Sequence, residues 1–160
     1  MTVDDRRPGP ELDEGAWIYL STGKGGPKEA GLLEKVAEAC AKSGWRTVRH
    51  PPLSLDGHGA DPGRYFASVS HAVEHADVVV AVFGERDELA DAELTLAYSH
   101  GRPVVGLRIG EAPLDTQPRR LLGGYERARL LTCATPGECA ISLHDTLSDP
   151  AFAETIRQAS

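Results

Sequence analysis

The chain predicts an α/β fold in which five parallel strands form one sheet covered by helices on both faces. Three observations predict it. Short β-rich runs alternate with segments of helical periodicity along the whole length. The run Asp77 to Phe83 (DVVVAVF) is apolar at almost every position, as suits a central parallel strand buried on both sides. At 160 residues, with no internal repeat, the chain is long enough to bury about 70% of its unfolded surface around one core.

Each element has its own signal. Trp17 to Leu20 (WIYL) is a short β-rich strand that enters the glycine turn STGKGGP. Pro27 to Ser43 reads as a helix, because Leu32, Leu33, Val36, Ala39 and Cys40 recur at helical spacing and Gly44 closes it. Trp45 to His50 is the second strand, stopped by Pro51 and Pro52, and Leu53 to Pro62 is a glycine- and aspartate-rich loop. Gly63 to His75 is the second helix, with Phe66, Val69, Val73 and Ala76 on one face. Asp77 to Phe83 is the third strand, and Asp87 to His100 the third helix, stopped by Gly101. Pro103 to Ile109 is the fourth strand. A loop with Pro113 and Pro118 leads to a short helix over Arg119 to Leu122. The fifth strand covers Ala128 to Cys133, followed by helices over Pro136 to Leu147 and Ala151 to Gln158. Five strands in a chain of this size predict the smaller doubly wound form, a flavodoxin-like, Rossmann-like three-layer sandwich with strand order 2-1-3-4-5. Its switch point falls between the first and third strands, which brings the STGKGG loop beside Phe83-Gly84 and the third helix.

Composition narrows the function classes. A formal net charge of −7 argues against a polymeric nucleic-acid surface. No apolar run approaches the roughly 20 residues of a membrane helix, so no membrane partner is expected. Residues 1–14 lack the apolar core of a signal peptide and read, from their charge and prolines, as a disordered tail. Residues 15–160 read as a single domain. Cys40, Cys133 and Cys139 are odd in number and spell no disulfide framework, which points to free thiols and a cytoplasmic location.

Two features carry candidate chemistry. Ser21, Thr22, Gly23, Lys24, Gly25 and Gly26 follow a strand and precede a helix. Glycines let backbone approach a ligand, and amides at a helix start favour an anion. Lys28 breaks the dinucleotide fingerprint, and no Ser or Thr follows Lys24 to make a P-loop. The second feature is Glu93, on the early turns of a helix just past a buried strand, where open α/β sheets place their ligands. The helix dipole alone favours acids there, so placement by itself does not distinguish a catalytic carboxylate from a solvated one.

The order of the motifs adds to this reading. YLSTGKGG on the first strand, ADVVVAV on the third, a Glu-x-x-x-Ala helix and GRPVVGL on the fourth strand follow one another. This arrangement, over Trp17 to Leu107, resembles the nucleoside 2-deoxyribosyltransferase superfamily, in particular its nucleotide N-glycoside hydrolase branch. The resemblance matches the family's catalytic glutamate and following alanine to Glu93 and Ala97, and its Gly-basic-Pro element to Gly101, Arg102 and Pro103. It matches the family's first-strand tyrosine to Tyr19. It implies an N-glycosidase or deoxyribosyltransferase acting on a nucleoside or nucleotide. Glu93 would attack the anomeric carbon, and water or another base would take the glycosyl group. Asp91 and Tyr19 are the candidates to orient Glu93 or carry a proton. Ser21 to Gly26, Phe83 and Gly84 are the candidate substrate contacts. No cofactor or metal is implied. A homo-oligomer, a dimer in the simplest case, is implied because the family often completes its pocket with a neighbouring subunit.

The sequence departs from the family pattern at two places. Asp87-Glu-Leu-Ala-Asp-Ala stands where a Gly-Thr or Ser-x-Gly element is usual, and Asp87 would repel a phosphate. Val69 stands near the place of an assisting aspartate. The alternative is therefore a catalytically inactive nucleotide-binding module on the same fold. A dinucleotide-binding protein with Arg49 near a ribose phosphate is a third reading. His71-Ala-Val-Glu74-His75 formally matches a zinc pattern, on a helix face opposite Phe66, Val69 and Val73, with no further acid identifiable as a partner. His50, His58 and His100 sit near strand or helix ends, and Arg119, Arg120, Arg127 and Arg129 read as a basic cluster on exposed helix and turn.

Overall fold

The structure, a computed structural model, describes residues 17–21, 27–48, 62–83 and 88–159. The expectations for residues 1–14, for Thr22, Gly23, Lys24, Gly25 and Gly26, for Arg49, His50 and His58, and for Gly84 and Asp87 lie outside the described residues. Among those described, the strands are β1 (Trp17–Ser21), β2 (Arg46–Val48), β3 (Val78–Phe83), β4 (Val104–Ile109) and β5 (Ala128–Cys133). The helices are α1 (Pro27–Lys42), α2 (Pro62–His75), α3 (Glu88–Ser99), α4 (Gln117–Leu121), α5 (Pro136–Leu147) and α6 (Pro150–Ala159). All strand pairs are parallel and the order is β2-β1-β3-β4-β5, as the alternation of elements predicts.

Three helices start earlier than the sequence reading, and each of these starts involves proline; α6, for one, begins at Pro150 rather than at Ala151. α2 begins at Pro62, and α4 begins at Gln117 with Pro118 in its first turn. Proline in a first turn gives up only a backbone N–H that the helix leaves unpaired anyway, so it opens helices as readily as it ends them. Gly44 (φ 85) and Gly101 (φ 66) do stop α1 and α3, each in the left-handed conformation that glycine adopts without a Cβ clash.

Strand alternation divides the core into two layers. Ile18, Leu20, Val78, Val80, Val82, Val105 and Leu107 face α1, α5 and α6, where Val36, Cys40, Leu143 and Phe152 are fully buried. Trp17, Tyr19, Val79, Ala81, Phe83 and Val104 face α2 and α3, against Val69, Val73, Leu94 and Ala97. On β1 the same alternation turns Tyr19 and Ser21 toward the α2–α3 layer.

Gly106 on β4 sits where side chains of the α2–α3 layer approach the sheet closely. A Cβ there would lie 2.8 Å from Phe83 Cε2 and 3.2 Å from Leu122 Cδ1. Gly106→Ala is therefore expected to destabilise the protein by about 1–3 kcal/mol through overpacking, read from thermal unfolding. A neutral result would mean that the Phe83 ring has room to retreat.

Arg102 gives the Gly-Arg-Pro element a structural meaning. Its guanidinium donates to the carbonyls of His100 (3.1 Å), Ala76 (3.3 Å) and Ala159 (2.7 Å). It therefore ties the end of α3, the entry to β3 and the last helix together. The cysteines are free and buried.

Candidate active site around Glu93

Glu93 lies in the middle of α3 and is only 2% exposed. Ala97, one turn further along the same face, is fully buried, and its small side chain lets the helix lie close to the sheet. The carboxylate is met from below by β1. Tyr19 Oη donates to Glu93 Oε2, and Ser21 Oγ donates to Oε1 at 3.2 Å. Tyr19 and Ser21 are themselves buried. A buried carboxylate that accepts from neutral hydroxyls has its direction set by the protein rather than by water.

Tyr19 has its phenol pushed well above the ordinary value of 10.0. Burial is the main cause, and the Glu93 charge, its hydrogen bond and the nearby Tyr65 act in the same direction. Tyr19 therefore remains a protonated donor at any physiological pH and cannot serve as a base. Burial likewise pushes the Cys40 thiol up to about 12 from 9.0. Both groups keep their protons in the folded state at pH values where the unfolded chain would lose them. Their contribution is thus complete below pH 9 and is lost as the pH rises past 9 for Cys40 and past 10 for Tyr19. The melting temperature is expected to fall steeply between pH 9 and 11, with each group contributing at most about 1.4 kcal/mol per pH unit. A flat profile across that range would contradict the burial of these two groups.

The other residues singled out in the sequence divide into two groups. Asp91, expected beside Glu93, turns away from it: its Oδ1 accepts from Arg119 Nε at 3.1 Å. Two residues apart on a helix point to different faces, so Asp91 and Glu93 do not share a site. Phe83 belongs with Arg119 as well. Its ring is fully buried, with the guanidinium carbon 4.9 Å from the ring centroid. This placement buries Phe83 among the core residues that face α2 and α3.

Arg119 is the residue that sequence reasoning misplaced. It is 1% exposed, and besides Asp91 it donates to the Pro113 carbonyl at 2.6 Å. Arg119 thus departs from the exposed placement expected of the four arginines, and the other three have partners of their own. Arg120 donates to the Asp115 carbonyl, Arg127 to that of Gly101, and Arg129 stacks over Phe152. The one available signal was the neighbouring Pro113 and Pro118, which mark a loop whose carbonyls lack helix or strand partners and need an outside donor.

No protein-family model matches the chain, and no curated protein matches it. Solved structures do. A CMP N-glycosidase from Clostridium botulinum superposes with a TM-score of 0.62 at 16% identity, over 79% of this chain and 96% of that one. The shared feature is the fold. The glycotransferase of kitacinnamycin matches at 19% identity with a TM-score of 0.54, over 96% of this chain but 40% of that one. A 2-deoxyribosyltransferase from Bacillus psychrosaccharolyticus is also a neighbour, at 16% identity, with 58% of this chain and 72% of that one covered. Its TM-score is 0.46. Among the described residues no helix is long and apolar enough to cross a membrane.

Proposed function

We propose that the protein cleaves the N-glycosidic bond of a nucleoside or nucleotide, with Glu93 as the nucleophile. The observation that supports this most directly is the buried Glu93 carboxylate, held by Tyr19 and Ser21 where β1 reaches its carboxyl end. The likeness in fold to a CMP N-glycosidase supports the same substrate class.

In this reading Tyr19 is a positioning residue that fixes Oε2. Oε1 is the attacking oxygen, because its 3.2 Å bond to Ser21 is long for a hydroxyl–carboxylate pair and is the easier one to give up. Oε1 forms a bond to C1′ as the C1′–N bond breaks, and the electron pair of that bond leaves with the base, which is then protonated. Water adds at C1′ and displaces the carboxylate, giving the free sugar; a second base in place of water gives transfer. Both steps pass through a cationic sugar that the nearby carboxylate stabilises. The chain's own Tyr19 cannot take up the proton, so solvent or the leaving base carries it.

The test is incubation of the protein with a panel of nucleosides and 5′-monophosphates, followed by chromatography for free base. Release of base from at least one member supports the reading. Thermal stabilisation by a panel member with no base released would favour a non-catalytic binding module.

A further inference from the structure

We propose that the last turns of α2 form a site for one divalent ion of the zinc type, with His71, Glu74 and His75 as its three protein ligands. One ligand atom from each residue lies within 4.8 Å of the other two. The spacing i, i+3, i+4 puts all three on one helix face, so a single ion can touch them without any change in the backbone. The imidazole rings of His71 and His75 are 4.4 Å apart, centroid to centroid. Glu74 and His75 are exposed and His71 is half-buried, so the site is open to solvent on its outer side.

A second observation points the same way. His75 Nδ1 lies 2.9 Å from the His71 carbonyl oxygen. A carbonyl only accepts, so Nδ1 carries the proton, and the neutral ring keeps its lone pair on Nε2. Histidines that bind metals are commonly held in this way, with one ring nitrogen donating to a backbone carbonyl and the other left for the ion. Two imidazoles and one carboxylate suit Zn²⁺, Co²⁺ or Ni²⁺ better than Mg²⁺ or Ca²⁺, which prefer oxygen ligands throughout. Water would complete the coordination.

The site is separate from Glu93. His75 leads into the start of β3, whereas Glu93 is met by Ser21 at the end of β1, and those lie at opposite ends of two neighbouring parallel strands. An ion here clamps the end of α2 and takes no part in glycoside chemistry. The inference therefore stands whether or not the protein releases base.

The test uses the full chain, first freed of metal by a chelator. Zn²⁺ alone, at a hundredfold excess over its Kd, should raise Tm by roughly 5–10 °C, and the chelator should reverse the rise. Co²⁺ alone should give visible absorption bands of a protein-bound ion. His75→Gln keeps a donor for the His71 carbonyl but removes the imidazole, and it should weaken binding at least tenfold. The double variant H71A/H75A should abolish both signals, while His144→Ala, on α5, leaves them unchanged. An unchanged Tm with Zn²⁺ in the wild type, or equal binding by His75→Gln, overturns the proposal.

Discussion

Glu93→Gln is expected to lower base release at least about a thousandfold while the protein remains folded. The amide matches the carboxylate in shape and volume, so α3 can still approach β1. The Tyr19 and Ser21 hydroxyls can each donate to or accept from an amide, and the hydrogen-bonded cluster therefore survives. What is lost is the charge and the nucleophilic lone pair at C1′, and nothing else in the cluster replaces them: Tyr19 stays protonated and Ser21 has no base beside it among the described residues. The measurement is turnover of whichever nucleoside or monophosphate the wild type cleaves, with circular dichroism as the check on folding. Turnover within tenfold of the wild type would remove Glu93 from the chemistry. Tyr19→Phe is expected to show a smaller loss, carried by kcat rather than KM, because in the proposed mechanism the phenol aims the carboxylate and does not react.

Arg119→Ala is expected to destabilise the protein by about 3–5 kcal/mol. The side chain is fully buried, and its partners include the Asp91 carboxylate, the Pro113 carbonyl and the face of the Phe83 ring. Truncation leaves a cavity and a carboxylate, itself only 16% exposed, without its cation. The control is to remove both partners. Arg119→Met with Asp91→Leu should recover much of the loss, since a buried ion pair replaced by apolar groups of similar volume is often no less stable. A single variant that melts within about 1 kcal/mol of the wild type would show that the pair is dispensable.

Most of the architecture was legible before any coordinates. Parallel strands buried on both faces need continuous apolar runs, and 77–83 is one. Amphipathic helices need apolar residues at three- and four-residue spacing, and Leu32, Leu33, Val36, Ala39 and Cys40 supply it. The crossover rule then leaves few orders for five strands, and 2-1-3-4-5 is the observed one. The site was legible only in part. Glu93 could be singled out by its place after a buried strand. That Tyr19 and Ser21 both reach it follows from period-two alternation on β1, once the facing helix is known.

Asp91 shows where sequence reasoning stops. It is two residues from Glu93 and has the same chemistry, yet it serves a buried arginine 28 positions away. Local periodicity determined the strands, the helices and the face each one buries, because those depend on the solvation of neighbouring residues along the chain. Only the tertiary structure decided which charges are buried and with whom. A lone ionised side chain is too costly to bury, and its partner is chosen by proximity in space, which separation along the chain does not encode.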